Sequence, residues 1–191
     1  MRKNLQVFIF TFLIWTTVTS CNRAVSDVEN ERAGMSNYTA PVATTQTTVY
    51  FVRHAEKESS NPNDQNPDLT PEGKARAEAL RALMQEVELG ALYATKFIRT
   101  KNTLMPLSNE RNLPIAEYKA NDFTGLRQRV LEENSGKTVL VAAHSNTLLP
   151  LLNAFGAKTT INFIPETEYS YLFKVTLLPD NTTKLEVNNY N

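Results

Sequence analysis

The chain has 191 residues, 41% hydrophobic and 21% charged, which fits one globular domain and excludes a disordered chain. Its 20 basic and 20 acidic residues balance, which argues against nucleic acid or an anionic membrane surface as the main partner, since both select strongly basic proteins. A single cysteine and two histidines exclude a disulfide framework, a multi-cysteine metal site and a three-histidine metal centre.

Residues 1–20 are typical of a signal peptide. Arg2 and Lys3 precede an uncharged apolar run over 5–18 that is short for a spanning helix. Small residues then precede Cys21, and this arrangement resembles the bacterial lipoprotein signal, in which the cysteine is lipidated and becomes the first mature residue. The resemblance implies a lipid-anchored protein of the cell envelope that faces the periplasm. Ordinary secretion and an uncleaved anchor are the alternatives.

Residues 21–46 are predicted to carry the lipidated cysteine and a flexible tether. The segment is rich in Ser, Thr, Asn and Ala, carries mixed charges and shows no sustained apolar periodicity. A lipid anchor needs such a spacer to hold a domain away from the membrane. A loosely packed N-terminal arm is the alternative. The folded domain is then expected to cover 47–191.

From residue 47 onward, strand-like and helix-like segments alternate. Apolar, β-branched runs predict strands over 47–53, 91–95, 115–118, 138–143, 171–177 and 184–187. Helices are expected from Thr70-Pro71 to Gly90, then over 100–111, 123–133 and 146–155. Pro106 predicts a kink or a later start in the second helix, and Asn146 is the expected cap of the last one.

The order of these segments predicts the fold class. Four strand–helix units indicate an α/β domain with three layers, in which a mostly parallel central sheet is flanked by helices. The last two strands are expected to form a meander or an edge hairpin. Neither internal repeats nor a second domain are indicated.

Both histidines follow predicted buried strands. His54 comes directly after the first strand and His144 after the fourth, and ligands of open α/β sheets bind at this carboxyl edge. Arg53 adjoins His54, and Arg99 lies just past the second strand. Because arginine offers a planar fork of donors that fits phosphate, these four residues predict a pocket for a phosphate dianion.

Four motifs extend this prediction over about residues 48–176. They are Arg53-His54-Ala55-Glu56, Leu69-Thr70-Pro71-Glu72-Gly73, Arg99-Thr100 with Thr103, and the segment Val139 to Ser145 that carries the second histidine. Their types and order resemble the histidine phosphatase superfamily, which has the phosphoglycerate mutase-like fold. The short chain looks most like compact bacterial members of that superfamily.

The chain departs from the family pattern in three places. Ala55 replaces a glycine after the first histidine, and Ser145 replaces a glycine after His144. No aspartate follows His144, which disfavours the acid-phosphatase branch. The glutamate-bearing loop of the mutase branch is not evident, and the long insertions that close over a small sugar phosphate are absent.

The resemblance implies a metal-independent phosphohydrolase without a cofactor. His54 would attack phosphorus and form a phosphohistidine, while Arg53 and Arg99 would bind the phosphoryl oxygens and lower the pKa of His54. His144 would donate to the phosphate, and Asn146 would touch it. The expected substrate is a phosphorylated small molecule or a phosphoprotein, with no nucleic acid partner and with membrane contact only through the lipid anchor.

The general acid that protonates the leaving group is open. Asp122 is the first choice, because it follows the third strand at the same edge, but an aspartate at this position also suits a helix N-cap. Glu56, Glu117 and Glu166 are the alternatives, although Glu56 is better placed to anchor the loop after His54.

Two other classes of function compete with the phosphatase. The pattern His54-x-Glu56 is found in zinc deaminases, but their cysteine pair is absent here, and a metal hydrolase would be inhibited by chelators. A catalytically silent phosphate-binding or interaction module on the same fold would bind phosphate without turnover.

Overall fold

The computed structural model describes residues 45–191. The predicted signal peptide, Cys21 and the tether as far as residue 44 lie outside the described residues. Within 45–191, no helix has the length and apolar character needed to cross a membrane.

Strands and helices alternate as the sequence predicts. Within residues 45–191 the elements are, in order, β1 (Thr47–Arg53), α1 (Pro71–Leu83), β2 (Leu89–Ala94), α2 (Ile98–Arg111), β3 (Ile115–Glu117), α3 (Phe123–Glu133), β4 (Thr138–Ala143), α4 (Ser145–Ala154), β5 (Tyr171–Leu177) and β6 (Thr183–Asn189).

The strands form one mixed sheet in the order β3-β2-β4-β1-β5-β6. β3, β2, β4 and β1 run parallel, whereas β5 is antiparallel to β1 and forms a hairpin with β6. Arg53 is the register partner of Ala143, so the residues that follow them, His54 and His144, leave the sheet side by side at its carboxyl edge. This architecture confirms the predicted α/β fold.

Helices cover both faces of the sheet, as expected for three layers. On one face Leu80 of α1 and Met84, which follows that helix, pack with Leu104 and Leu107 of α2. On the other face α3 and α4 pack on the sheet through a second cluster that includes Leu126, Val130, Leu148, Leu151 and Leu152. β4 contributes to both clusters by alternation, with Leu140 and Ala142 on one face and Val139, Val141 and Ala143 on the other. Burial on both faces explains why its sequence is apolar throughout.

Gly90 does not end helix α1, contrary to expectation. The helix stops at Leu83 with Met84 as its C-cap, and Gly90 lies inside β2, where the register against β4 shifts between Leu89 and Ala91. A Cβ at Gly90 would lie 2.8 Å from Cδ of Lys137. The glycine therefore marks a strand irregularity with a close neighbour, and not a helix terminus.

Two other helix boundaries differ from the sequence prediction. Helix α2 starts at Ile98, two residues early, and continues through Pro106 to Arg111. In α4 the N-cap position is His144, so Asn146 is the second helical residue and not the cap. The hydroxyl of Thr147 accepts the backbone N–H of His144 at 3.1 Å, which ties the second histidine to the first turn of the helix.

Candidate active site

The two histidines meet at the carboxyl edge of the sheet. Their ring centroids lie 5.3 Å apart with a T-shaped arrangement. Both rings line a cavity of about 560 Å³, together with Arg99 and the first turn of α4, Ser145 to Thr147. The N-terminal end of a helix favours anions. Its position at this cavity, beside the two histidines and the arginine, therefore indicates a site for an anion.

The structure defines the tautomer of His54. Its Nδ1 lies 2.7 Å from the carbonyl oxygen of Ala55, and because a carbonyl only accepts, Nδ1 must carry the proton. Nε2 is then the unprotonated nitrogen of the neutral ring. Burial, reinforced by the charges of His144, Arg53 and Arg99, lowers the pKa of His54 to about 3. His54 is therefore neutral at pH 7, which is the protonation state that a nucleophile needs.

Two contacts hold the loop that follows His54. The backbone N–H of Ala55 donates to Oγ1 of Thr103 at 2.9 Å. This bond gives a structural role to Thr103, the second threonine of the Arg99 motif. Gly73 of α1 lies against the backbone of Glu56, where a Cβ would come within 2.2 Å of the carbonyl oxygen. The motif that ends in Gly73 thus allows α1 to approach the loop after His54 closely.

A chain of hydroxyl groups orients the ring of His144. Nε2 lies 3.0 Å from Oγ1 of Thr95, which lies 2.9 Å from Oγ1 of Thr100. Thr100 donates its only hydroxyl proton to the carbonyl of Phe97 at 2.7 Å, so Thr95 must donate to Thr100 and accept the proton of Nε2. Burial, together with Arg99 and Arg53, lowers the pKa of His144 to about 4.

Arg99 is the cation with the most unused donor capacity at the cavity. Its guanidinium carbon lies 4.4 Å from the centroid of the Phe97 ring, a cation–π contact that orients the group. Its Nε is buried without a hydrogen-bond partner. Burial first, and the nearby Arg53 second, lower the pKa of Arg99 from its ordinary value. An arginine held in this way is ready for an anionic ligand.

Arg53 lies behind the cavity and is already heavily bonded. It is 1% exposed, and its Nη1 donates to the backbone carbonyls of Pro165, Glu166 and Glu168 at 2.9 to 3.0 Å. Its Nη2 donates to Oε2 of Glu166 at 2.6 Å. Its guanidinium also lies over the ring of Tyr169, 4.1 Å from the centroid. Arg53 thereby fastens the segment 165–169 over the first histidine.

Glu166 bridges Arg53 and the start of α4. Besides its contact with Arg53, its Oε1 accepts a short hydrogen bond from the hydroxyl of Ser145. The Ser145 hydrogen bond, followed by the charges of Arg53 and Lys57, lowers the pKa of Glu166. Among residues 45–191 it is the one carboxylate that lines the cavity, whereas Lys57 and Lys96 line it with positive charge.

The structure brings most of the predicted site residues together. His54, Arg99, His144 and Asn146 line the cavity, and Arg53 reaches its edge through Glu166. Sequence reasoning did not single out Thr95, which contacts His144, and it named Ser145 only as a departure from the family pattern and not as a partner of Glu166. Their positions follow from the strand ends, but their side-chain contacts carry no sequence signal.

Asp122 does not join this group, which corrects the expectation that it faces the crevice. It occupies the N-cap position of α3, where its Oδ1 accepts the N–H of Gly125 at 3.0 Å. Its neighbours Ala120 and Asn121 line the cavity instead. A short carboxylate one residue before a helix satisfies the free N–H groups of the first turn, and this local bond turns the side chain away from the histidines.

Two other acidic residues are also engaged elsewhere. Glu56 accepts from Nε of Arg76 in α1 at 2.8 Å, so it anchors the loop after His54. Glu117 pairs with Lys101 at 2.9 Å. Within residues 45–191, no three His, Cys, Asp or Glu side chains are grouped so that they could hold a metal ion.

Comparison with known proteins agrees with this geometry. A family model described as the histidine phosphatase superfamily (branch 1) matches residues 49–120, which include both arginines and the first histidine. No curated protein matches the chain.

Solved structures with this fold match about three quarters of the chain. YhfR of Bacillus stearothermophilus is 19% identical, with a TM-score of 0.61, and the match covers 74% of this chain and 96% of that one. The protein histidine phosphatase SixA, complexed with tungstate, is 21% identical with a TM-score of 0.58 and the same coverage. The alpha-ribazole phosphatase of Shigella flexneri is 13% identical, also with a TM-score of 0.58 and the same coverage.

These likenesses establish the fold. The fold is the phosphoglycerate mutase-like fold of the solved structures. With the family-model match over residues 49–120, they confirm the resemblance to the histidine phosphatase superfamily that the four motifs indicated.

Proposed function

We propose that the protein is a phosphohydrolase that removes the phosphoryl group of a phosphomonoester through a phosphohistidine on Nε2 of His54. The observation that carries the proposal is the hydrogen bond from Nδ1 of His54 to the Ala55 carbonyl, which leaves Nε2 free in a neutral ring. A nucleophilic nitrogen, a second histidine and an arginine lining one cavity supply what phosphoryl transfer requires of a protein.

Each step is assigned to a group at the cavity. Nε2 of His54 attacks phosphorus as the bond to the leaving oxygen breaks, and Arg99 and the first turn of α4 stabilise the equatorial oxygens. Asn146 contacts the same phosphoryl group. His144, whose Nε2 proton is bound by Thr95, donates to it from Nδ1 once the phosphoryl charge raises its pKa and that nitrogen takes up a proton. A water molecule then attacks the phosphohistidine, which releases inorganic phosphate and regenerates His54. No step needs a metal ion, so we expect activity in the presence of chelators.

The proposed substrate is a phosphorylated small molecule or a phosphoprotein. Among the structural neighbours, one is described as a protein histidine phosphatase and another as an alpha-ribazole phosphatase. The cavity of about 560 Å³ with Lys57 and Lys96 in its lining suits an anionic group of either kind.

The proposed place of action is the cell envelope. The lipoprotein-like signal with Cys21 at its end supports a lipid-anchored protein that faces the periplasm. We expect the wild-type chain in the membrane fraction and Cys21→Ala outside it. Recovery of both proteins in the soluble fraction would contradict lipid anchoring.

The catalytic proposal is tested with the full-length protein and 4-nitrophenyl phosphate in EDTA. We expect activity that His54→Asn abolishes. Rapid quenching should trap ³²P-labelled enzyme with an acid-labile phosphoryl group in the wild type only. Equal activity in His54→Asn would overturn the assignment of His54.

Two other outcomes would point to the competing functions. Loss of wild-type activity in EDTA, with recovery on adding a divalent metal, would indicate a metal hydrolase. Binding of inorganic phosphate by calorimetry, without turnover of any phosphomonoester, would indicate a silent phosphate-binding module.

A further inference from the structure

Glu166 stands where a phosphoryl oxygen would be expected. Its two carboxylate oxygens are bound by Nη2 of Arg53 and by the hydroxyl of Ser145 at the start of α4. A guanidinium and the first turn of a helix are groups that bind phosphate oxygens. The carboxylate therefore occupies an anion position at the edge of the cavity, although its side chain is 72% exposed.

Arg53 has few donors left with which to bind a phosphoryl group. Its Nη1 is committed to three backbone carbonyls, and its Nε is buried without a partner. The Nη2 that holds Glu166 is the donor at the cavity edge. A phosphoryl oxygen that takes the Nη2 hydrogen now bound by Glu166 must replace this carboxylate.

We propose that Glu166 is the general acid and base of the reaction, and that the incoming phosphoryl group displaces it from Arg53 and Ser145. The proposal rests on the phosphohydrolase activity proposed above, and it assigns the proton donor that Asp122 does not supply. Once displaced, the exposed side chain remains on the segment that covers the cavity, where it can reach the leaving oxygen on the side away from His54.

The proton balance is simple. In the first step Nε2 of His54 forms the bond to phosphorus, the bond from phosphorus to the leaving oxygen breaks, and that oxygen takes the proton of Glu166. In the second step the Glu166 carboxylate accepts a proton from the attacking water as the bond between nitrogen and phosphorus breaks. The products are an alcohol and inorganic phosphate, and Glu166 is protonated again.

The charges around Glu166 explain how one carboxyl group can be ionised before substrate binds and protonated afterwards. In the empty site Ser145, Arg53 and Lys57 keep its pKa low, and Arg99 and His144 also lie within electrostatic range. A bound phosphoryl group takes over Arg53 and Ser145 and places negative charge beside the carboxylate. Loss of those partners and the added negative charge both raise its pKa, so substrate binding itself favours the protonated acid.

The test compares leaving groups in the full-length protein. Glu166→Gln keeps the shape of the side chain but has no proton to give. We expect its kcat for phenyl phosphate, which has a poor leaving group, to fall about 100-fold or more, and that for 4-nitrophenyl phosphate to fall by less than about threefold. The basic limb of the pH profile for phenyl phosphate should be present in the wild type and absent in Glu166→Gln.

Glu58→Gln is the matched control. Glu58 is an exposed glutamate close in sequence to the first histidine, and it does not line the cavity. Glu58→Gln removes the same charge as Glu166→Gln but leaves the cavity lining unchanged. Its activity on both substrates should therefore equal that of the wild type. A comparable loss in Glu58→Gln would mean that net charge, and not proton transfer, is responsible.

Displacement is measured separately with inorganic phosphate. We expect Glu166→Gln to bind phosphate at least as tightly as the wild type, because a competing anion has been removed. Weaker binding, or an equal loss of kcat for both leaving groups, would overturn the acid–base role and leave Glu166 as a positioning residue. If the wild type turns over no phosphomonoester, the proposed function itself fails. If the wild type is active and Glu166→Gln shows the same leaving-group dependence, only the role of Glu166 fails.

Discussion

The middle and the carboxyl ends of strands β1 and β4 follow different physical rules. In the middle, Val49, Phe51, Leu140 and Val141 are 0% exposed and belong to the two apolar clusters of the core. At the ends the chain buries polar groups instead, among them His54, which is 3% exposed. Strand pairing runs unbroken from one region into the other.

This difference separates what stabilises the domain from what it does. Apolar burial in the middle is favourable at about 25 cal/mol per Å² of buried area. Near the carboxyl ends, the Nε atoms of Arg53 and of Arg99 in α2 are buried without partners, which is unfavourable. The site therefore depends on the strand middles to hold it together. Four substitutions or conditions test this contrast.

Phe51→Ala should give the largest loss of stability. Phe51 packs edge-on against Phe155 with ring centroids 5.0 Å apart, and removal of a fully buried aromatic ring costs about 3–5 kcal/mol. Urea unfolding followed by circular dichroism measures the change. Phe51→Leu should lose clearly less, and equal losses for the two variants would contradict a packing origin.

Arg99→Ala should impair activity without lowering stability. Loss of one preorganised group that stabilises the transition state lowers kcat by about 10²- to 10³-fold. The free energy of unfolding should stay the same or rise, since a buried, unpaired donor is removed. Arg81→Ala, which breaks only surface pairs with Glu78 and Glu110, is the control and should keep full activity. A destabilised Arg99→Ala would place this residue with the scaffold instead.

Acid should destabilise the site end of the sheet through its histidines. The pKa values of His54 and His144 are lowered to about 3 and about 4, whereas an unfolded histidine titrates near about 6.5. Between these values the unfolded chain binds more protons, so the free energy of unfolding falls as pH decreases from about 6.5 towards about 4.

The double variant His54→Asn, His144→Asn isolates this effect. Its urea midpoint should depend less on pH over that window than the midpoint of the wild type. Parallel pH profiles for the two proteins would show that carboxylates, and not the histidines, cause the acid sensitivity.

Asp122→Ala should have the smallest effect, and on stability alone. Loss of the N-cap bond to Gly125 costs about 1 kcal/mol, while Asp122→Ser should retain much of that stability. The ratio of kcat for phenyl and 4-nitrophenyl phosphate should match the wild type in both variants. A selective loss with phenyl phosphate would restore Asp122 as the general acid.

The sequence predicts those parts of the fold that depend on local patterns. β1, β4 and β5 have the predicted bounds, since each is rich in β-branched, aromatic or other apolar residues, and α3 has the predicted start and end. Parallel strands of an α/β sheet present their carboxyl ends at one edge. The meeting of His54, His144 and Arg99 could therefore be predicted from their positions.

The contacts of the segment 165–169 could not be predicted. Arg53 bonds to residues more than a hundred positions away, and no periodicity or motif marks such partners. Glu166 was one of several acidic candidates for the same reason. For Gly90 the sequence does carry a local signal, but the signal is ambiguous. A glycine that follows an apolar stripe indicates a helix end as readily as a strand irregularity.

The strand order also determines when the site can form. β1 emerges first during synthesis, yet its neighbours β4 and β5 are made much later, as the pairings of Thr48 with Thr138 and of Thr47 with Leu177 show. Such distant pairings are slow to form. A growing chain thus displays His54 long before His144 exists, and it cannot complete the cavity until residues beyond 166 have been added. The phosphoryl chemistry proposed for His54 would consequently be a property of the finished domain and not of the nascent chain.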